Sequence, residues 1–404
     1  MSKHKYLILG GGMVAGYAAK ELVERGLKQG ELAVVSADDT LPYERPPLSK
    51  GYLAGEQDLK SIRISDEAFY EDHGIEVRLE TPVSTVALRE KKLETRSGKS
   101  LSFEKLVIAT GAHVRHLPDL QQTPAGLYYL RSVADSSRIR DRSQGARQAV
   151  VIGGGFIGME VASVLARRGI ETTLALPKGR VWESFFTPEM SQFFEKYYEK
   201  HGVTLKPRAT IDSISEAGNR IRIAFRSGEE IEADLAVAGI GVVPATELFG
   251  STELKVDRGI AVNEYLETGV DDVWAAGDVT NYYDAIFRKN RHTEHWDNAV
   301  EQGRHVARLL LGERVPFVHV PYFFSDVFDL SYEFWGDTSE ADQVAHRGNL
   351  TKGEFSVWWL KGGRLRAAFV MRRPDQEREW ATRYIESQEP VDSNTLGDES
   401  RPIG

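Results

Sequence analysis

Two strand–glycine–helix units stand in this chain, and they constrain its fold more than any other feature. The second spans residues 150–160, VVIGGGFIGME. An apolar strand meets Gly153, Gly155 and Gly158, and a helix continues through Val161, Ala162, Val164 and Leu165. The first copy opens the chain: a strand at residues 6–9, then Gly10, Gly12 and Ala15, then a helix through Ala18, Ala19, Leu22 and Val23 that stops near Gly26. In such a turn the first glycine permits the tight bend, the second lets backbone approach a phosphate, and the third lets helix pack on strand. The N-terminus of the helix offers N–H donors and the positive dipole end to a pyrophosphate. One glycine turn is commonplace in α/β proteins. Two at this spacing predict two dinucleotide-binding folds.

With 404 residues the chain exceeds a single core and suits two or three domains. Its net charge of −9 argues against a broad nucleic-acid or anionic-membrane surface. No apolar run approaches the ~20 residues of a membrane span. The opening stretch has the outline of a short signal peptide, but a first strand and glycine turn account for it better, so the expected compartment is cytoplasmic. Cysteine is absent. That removes disulfides, iron–sulfur ligation, thiolate zinc and any redox-active thiol pair. No metal site is expected, and redox chemistry here must ride on a bound organic cofactor.

Taken in order, residues 32–35 form the next strand, with Asp38 just past its end. There an acid accepts from an adenosine ribose, the alternative being a turn residue. The prolines of LPYERPPLSKGYL (41–53) exclude a helix interior and imply an extended, stiff loop carrying Arg45 and Lys50. Residues 76–96 read as strand and hairpin, and LVIATG (106–111) as a strand closing on Ala109, Thr110 and Gly111, where backbone can lie near a flat ligand. Arg131 precedes a helix at 133–142. In the second nucleotide unit the strand at 172–176 ends in PKGR, placing Lys178 and Arg180 where an acid would accept a 2′-hydroxyl. That suits a 2′-phosphate and NADPH, or a solvated turn. The aromatic stripe Phe193, Phe194, Tyr197 and Tyr198 on a helix at 187–201 reads as core. Strand and glycine turn recur at 235–244 with Gly241, and VWAAGDV (273–279) reads as a strand ending on Asp278. An amphipathic helix starts near Asp297, which can cap it, leaving Glu294, His295 and Trp296 at its N-terminus. From Pro316 aromatic-rich strands form an antiparallel meander with a Gly362–Gly363 hairpin. The polar tail after Ile385 is expected on the surface.

These motifs in this order resemble the two-dinucleotide flavoprotein reductases, in the branch that holds bacterial ferredoxin reductases, monodehydroascorbate reductase and apoptosis-inducing factor. PYERPPLSKGYL is the most specific element, supported by PYFFSDVFDLSYEFWGD and the terminal PVDSNTLGDESRP. The resemblance implies an α/β fold with two Rossmann-like dinucleotide-binding domains and a C-terminal α+β domain built on an antiparallel sheet. FAD would occupy residues 1–114 with 239–316, NADH or NADPH residues 115–238, and residues 317–404 would be the third domain. It also implies that the first glycine unit and Asp38 hold the adenosine half of FAD. Arg45, Lys50, Arg131 and Asp278 contact the rest, and the backbone of Trp296 covers the flavin's pyrimidine edge. Glu160 would face the flavin and pair with Lys50. A buried carboxylate and ammonium are tolerable only as a hydrogen-bonded pair, since either alone would be stranded in low dielectric. Two departures from the family pattern are Asp38 in place of glutamate and PKGR in place of an acid. The implied activity is an FAD-dependent NAD(P)H reductase that passes electrons singly to a ferredoxin or to a small organic radical, monodehydroascorbate. Lys361, Arg364, Arg366, Arg372 and Arg373 would dock an acidic ferredoxin, or simply form a solvated hairpin. The runner-up is a slow-turnover, apoptosis-inducing-factor-like protein, and a plain oxidase is a third reading. A homodimer is compatible with the sequence.

Overall fold

The computed structural model describes residues 2–118, 120, 122–401 and 403. It forms two compact units, each assembled from separate stretches of chain. The first takes the chain up to Arg45, then Leu59–His113 and Val243–Tyr322; the second takes Pro46–Asp58, Val114–Val242 and the chain from Phe323 onward.

In the first unit the strands Glu76–Arg78, Leu32–Val35, Ser2–Leu9 and Ser100–Ile108 lie side by side in parallel. Val273–Ala275 extends the parallel run along the C-terminal half of Ser100–Ile108, while Lys92–Thr95 pairs antiparallel with its first half. Leu7, Ile8 and the whole of Leu32–Val35 are buried. That explains why Leu32–Val35 and the second half of Ser2–Leu9 are continuously apolar rather than alternating: both faces are covered. The helices Met13–Glu24 and Trp296–Leu310 pack on each other, and a Cβ at Gly303 would stand 2.9 Å from the Val14 carbonyl oxygen, so the close approach requires glycine.

The second unit repeats the plan with a five-stranded parallel sheet: Val203–Lys206, Glu171–Ala175, Gln148–Ile152, Leu235–Ala238 and Leu127–Tyr129. The last of these, a three-residue strand, was not anticipated from the sequence. The same unit holds an antiparallel sheet ordered Tyr322–Val327, Leu330–Gly336, Arg364–Met371, Glu354–Lys361 and Gln343–Asn349. Gly362 and Gly363, both at positive φ, turn its central hairpin. Phe194 and Tyr198 of the helix Pro188–Lys200 are fully buried, and Phe194 packs edge-on against Tyr332, so these two are core as expected, while Phe193 and Tyr197 are only half-buried.

Three local expectations are corrected. The proline loop is not extended: Pro46–Ser49 is a tight 3₁₀ turn and Gly51–Ala54 a single helical turn, because proline suits the first positions of a helical turn. The strand before Asp278 ends at Ala275. His295 rather than Asp297 occupies the N-cap of the Trp296–Leu310 helix, and the Asp297 carboxylate binds His319 instead. The tail lies largely on the surface, as expected, yet it is anchored. Leu396 is fully buried, and the buried Arg347 donates to the carbonyls of Leu396, Asp398 and Arg401. Among the described residues no helix is long and apolar enough to cross a membrane.

Candidate functional site

Each unit builds its glycine turn in the same way. Gly10 has φ +125°, and a Cβ there would sit 2.1 Å from the carbonyl oxygen of Ala109, at the end of a neighbouring strand. Gly153 has φ +117°, and its Cβ would meet the Gly239 carbonyl oxygen at 2.3 Å. The third position differs: the Ala15 methyl is accommodated, whereas a methyl on Gly158 would stand 1.9 Å from the Gly153 oxygen. The helices that follow, Met13–Glu24 and Phe156–Arg167, have Gly12 and Gly155 as N-caps, with no side-chain cap and no acid in the first turn. By contrast, the helices starting after Asp66, Ser132 and Thr187 are capped by those side chains. The first amides of the two glycine-turn helices are thus left without a capping side chain, as a pyrophosphate needs.

Around the first turn, the guanidinium of Arg45 reaches to 3.7 Å from where a Gly12 Cβ would stand. Asp38 is half-buried and accepts from Tyr43 Oη at 3.4 Å. Burial and the neighbouring Asp39 push its carboxyl up, and Arg45 opposes them. Thr110 Oγ1 donates to the Ala245 carbonyl, and the Gly111 carbonyl accepts from the Ala245 amide, so this turn is clamped from both ends. Asp278 follows Gly277, whose amide donates to Gln302 Oε1 at 2.7 Å, so the buried Gln302 fixes the turn to the Trp296–Leu310 helix. Trp296 Nε1 and Tyr17 Oη both donate to Glu44, at 2.5 Å each. His292 is buried enough to lower its pKa, but its bonds to Glu294 and the Thr280 carbonyl outweigh this and raise it. Burial pushes the His295 imidazole down to about 4. These properties fit a dinucleotide whose phosphates meet the helix start and Arg45, and whose ribose meets Asp38.

The second unit holds Lys50, Arg131 and Glu160. The Glu160 carboxylate is buried and accepts three hydrogen bonds: from Lys50 Nζ at 2.7 Å, Ser325 Oγ at 2.6 Å and Ser49 Oγ at 2.5 Å. Lys50 also lies 5.3 Å from the centre of the Phe324 ring. The ion pair anticipated from the sequence is present. The two serines were not anticipated, although each stands inside a motif quoted above: Ser49 in PPLSK and Ser325 in PYFFS. Beneath the site Tyr198 Oη donates to the Met159 carbonyl at 2.8 Å. Burial, followed by the Glu160 charge, keeps that phenol protonated far above its ordinary range. Arg131 leads into a helix whose capping box joins Ser132 and Asp135, and its own amide donates to Asp135. Gly241, at positive φ, receives the Arg115 amide on its carbonyl.

The PKGR cations part company. Lys178 is exposed and donates to Ser184 Oγ. Arg180 turns inward to the Phe186 carbonyl and Ser191 Oγ, both at 2.7 Å, so it locks the loop to the Pro188–Lys200 helix. The cations of the C-terminal hairpin are also engaged. Lys361 pairs with Asp342, Arg366 with Glu340, Arg372 with Asp329 and Arg373 with Glu377 and Glu399, while Arg364 donates to the Gln388 carbonyl. Among the described residues, four of these five cations are thus paired with an acid.

Residues 4–303 match the family described as pyridine nucleotide-disulphide oxidoreductase, and residues 322–404 the one described as reductase C-terminal. A peroxisomal monodehydroascorbate reductase of Arabidopsis thaliana is 35% identical over 395 residues, 93% of this chain and 80% of that protein. The Pisum sativum monodehydroascorbate reductase is 31% identical over 98% of this chain and 97% of its own length. Among solved structures, a covalent putidaredoxin reductase–putidaredoxin complex superposes with a TM-score of 0.94 at 30% identity, covering 100% of this chain and 98% of that one. A ferredoxin reductase from Rhodopseudomonas palustris gives 0.94 at 29%, over 99% and 98%. The chain belongs to the pyridine nucleotide-disulphide oxidoreductase family, as an FAD-dependent NAD(P)H oxidoreductase whose sequence carries no cysteine for a disulphide.

Proposed function

We propose that this enzyme takes a hydride from NADH or NADPH and delivers the electrons one at a time to an external acceptor, a ferredoxin first. Bound FAD supplies the conversion from a two-electron donor to single-electron steps. Without cysteine in the 404 residues, no thiol of this chain can store the pair in between. In this reading Asp38 and Arg45 orient the adenosine and pyrophosphate of FAD. Asp278 and the start of the Trp296–Leu310 helix serve its other half, and Glu160 with Lys50 orients the nicotinamide.

The observation that carries the proposal is the Glu160 carboxylate with its three donors. A buried ion pair is weak as a stabilising device, and apolar replacements commonly do as well. A carboxylate held this firmly, two residues beyond the last glycine of the turn expected to bind nicotinamide dinucleotide, is better explained by chemistry than by stability. A second acceptor, monodehydroascorbate, is favoured by the curated relatives and by the internal pairing of the hairpin cations, which weakens the case for docking an acidic protein there. Steady-state reduction of a plant-type or oxygenase-type ferredoxin and of enzymatically generated monodehydroascorbate distinguishes the two. Ferredoxin turnover that falls with added salt supports the first reading. Indifference to ferredoxin beside rapid reduction of the radical reverses the order, and failure with both acceptors refutes the proposal.

A further inference from the structure

We propose that Arg208, with Lys178, is the residue that recognises the 2′-phosphate of NADPH and so sets this enzyme's nucleotide preference. The inference rests on the reading that the second unit binds the nicotinamide dinucleotide, and it adds a specificity residue from a different loop than PKGR.

The strand Glu171–Ala175 gives way to PKGR beside the end of its parallel neighbour, Val203–Lys206. Their loops are laced together. The Leu176 amide donates to the Lys206 carbonyl at 2.9 Å, Arg208 to Lys178 at 3.0 Å, and Ala209 to Leu176 at 2.8 Å. Arg208 therefore reaches the nucleotide-facing loop from one strand away. Its backbone is left-handed, at φ +54°, an uncommon state for a side-chain-bearing residue, and this directs its side chain along Gly179. The guanidinium Nε stands 3.7 Å, and Nη2 3.9 Å, from where a Gly179 Cβ would be.

The residue is exposed, and among the described residues its guanidinium makes no hydrogen bond or ion pair. Arg180, the cation that the sequence alone suggests, is committed to the Phe186 carbonyl and Ser191. Where an acid would accept a 2′-hydroxyl the chain reads PKGR, which holds no carboxylate. Two exposed cations thus flank Gly179 at the point where the adenosine ribose is read. Arginine suits a phosphate because its planar fork donates in pairs. One acid opposes them: Glu183 Oε2 accepts from the Gly179 amide at 3.0 Å and lies 3.7 Å from the same Cβ position as Arg208 Nε. Glu183 would repel a 2′-phosphate and tune the preference back toward NADH.

Titration calorimetry of the FAD-loaded full chain with 2′,5′-ADP and with 5′-AMP isolates the 2′-phosphate from catalysis. The wild type is expected to bind 2′,5′-ADP more tightly than 5′-AMP. Arg208→Gln should weaken 2′,5′-ADP about tenfold or more, as loss of charge-assisted hydrogen bonds implies, and change 5′-AMP little. Arg208→Lys should recover part of the loss, and Glu183→Gln should strengthen 2′,5′-ADP. The ratio of kcat/KM for NADPH to that for NADH should follow these affinities. Arg180→Gln should lower thermal stability and leave the 2′,5′-ADP to 5′-AMP ratio where it was. Equal affinity for 2′,5′-ADP in wild type and Arg208→Gln overturns the proposal, while binding of 5′-AMP and reduction by NADH leave the nucleotide reading standing. If neither adenosine phosphate binds and neither nicotinamide bleaches the flavin, the reading itself falls and takes the proposal with it.

Discussion

Replacing Lys50 with methionine tests the buried pair most directly, because it removes the ammonium bonded to Glu160 and keeps a side chain of similar length. The side chains are 17% and 4% exposed, so the carboxylate is much the deeper of the two. Only Ser49 and Ser325 would remain as its donors. Breaking a buried pair by removing one partner costs about 3–5 kcal/mol. The partial exposure of Lys50 argues for the lower end. The expected loss at pH 7 is therefore about 3 kcal/mol. Thermal and denaturant unfolding of wild type and Lys50→Met at pH 7, followed by circular dichroism, should show that deficit. Adding Glu160→Leu to Lys50→Met should recover much of it, because the stranded carboxylate is then gone and a double-mutant cycle reports coupling between neighbours. A Lys50→Met protein as stable as wild type, or a double variant whose losses simply add, would refute the reasoning.

Other expectations follow from the same geometry. Gly158→Ala places a methyl on the backbone of Gly153 and should abolish nicotinamide binding, with FAD content unchanged, as read by flavin absorbance during NADH and NADPH titration. Because burial holds His295 down to about 4, the unfolded chain binds a proton there that the folded chain does not. Stability should fall as pH drops from about 6.5 toward 4, by up to about 3 kcal/mol, and His295→Asn should flatten that part of the melting profile.

The parts of this molecule that follow from local rules were legible in the sequence. The strand Leu32–Val35 and the helix Val133–Arg142 lie at the bounds expected of them. Both glycine turns were readable because the backbone there touches backbone, which leaves glycine as the signal. What escaped notice depends on pairing across the chain. Arg180 and Lys178 look equivalent in PKGR, and only the Phe186 carbonyl and Ser191 separate an inward-turned cation from an exposed one. The C-terminal tail is polar enough to read as surface, yet the carbonyls that hold it are met by Arg347, some fifty residues earlier. Its cue, a lone arginine in a strand, has no local meaning. The helix starting at Trp296 was placed one residue late because aspartate is a good cap, and here His319 takes the carboxylate instead.

The same distinction explains why two of the most specific stretches of this sequence lie so far apart. PPLSK and PYFFS are separated by well over two hundred residues, and neither has a helical or strand period that would make its serine meaningful. In the folded second unit Ser49 binds one oxygen of Glu160 while Lys50 and Ser325 bind the other. The 3₁₀ turn started by Pro46 and Pro47 brings Ser49 and Lys50 to the carboxylate together, and the first strand of the antiparallel sheet brings Ser325. A carboxylate oxygen accepts only along a few directions, so three donors of fixed stem leave it little freedom to turn. Each motif then has one job: to present a donor to the same buried acid. That predicts a hierarchy among substitutions. Phe323 or Phe324 exchanged for another large apolar ring should be tolerated far better than Ser325→Ala, which leaves one oxygen of Glu160 with Lys50 alone.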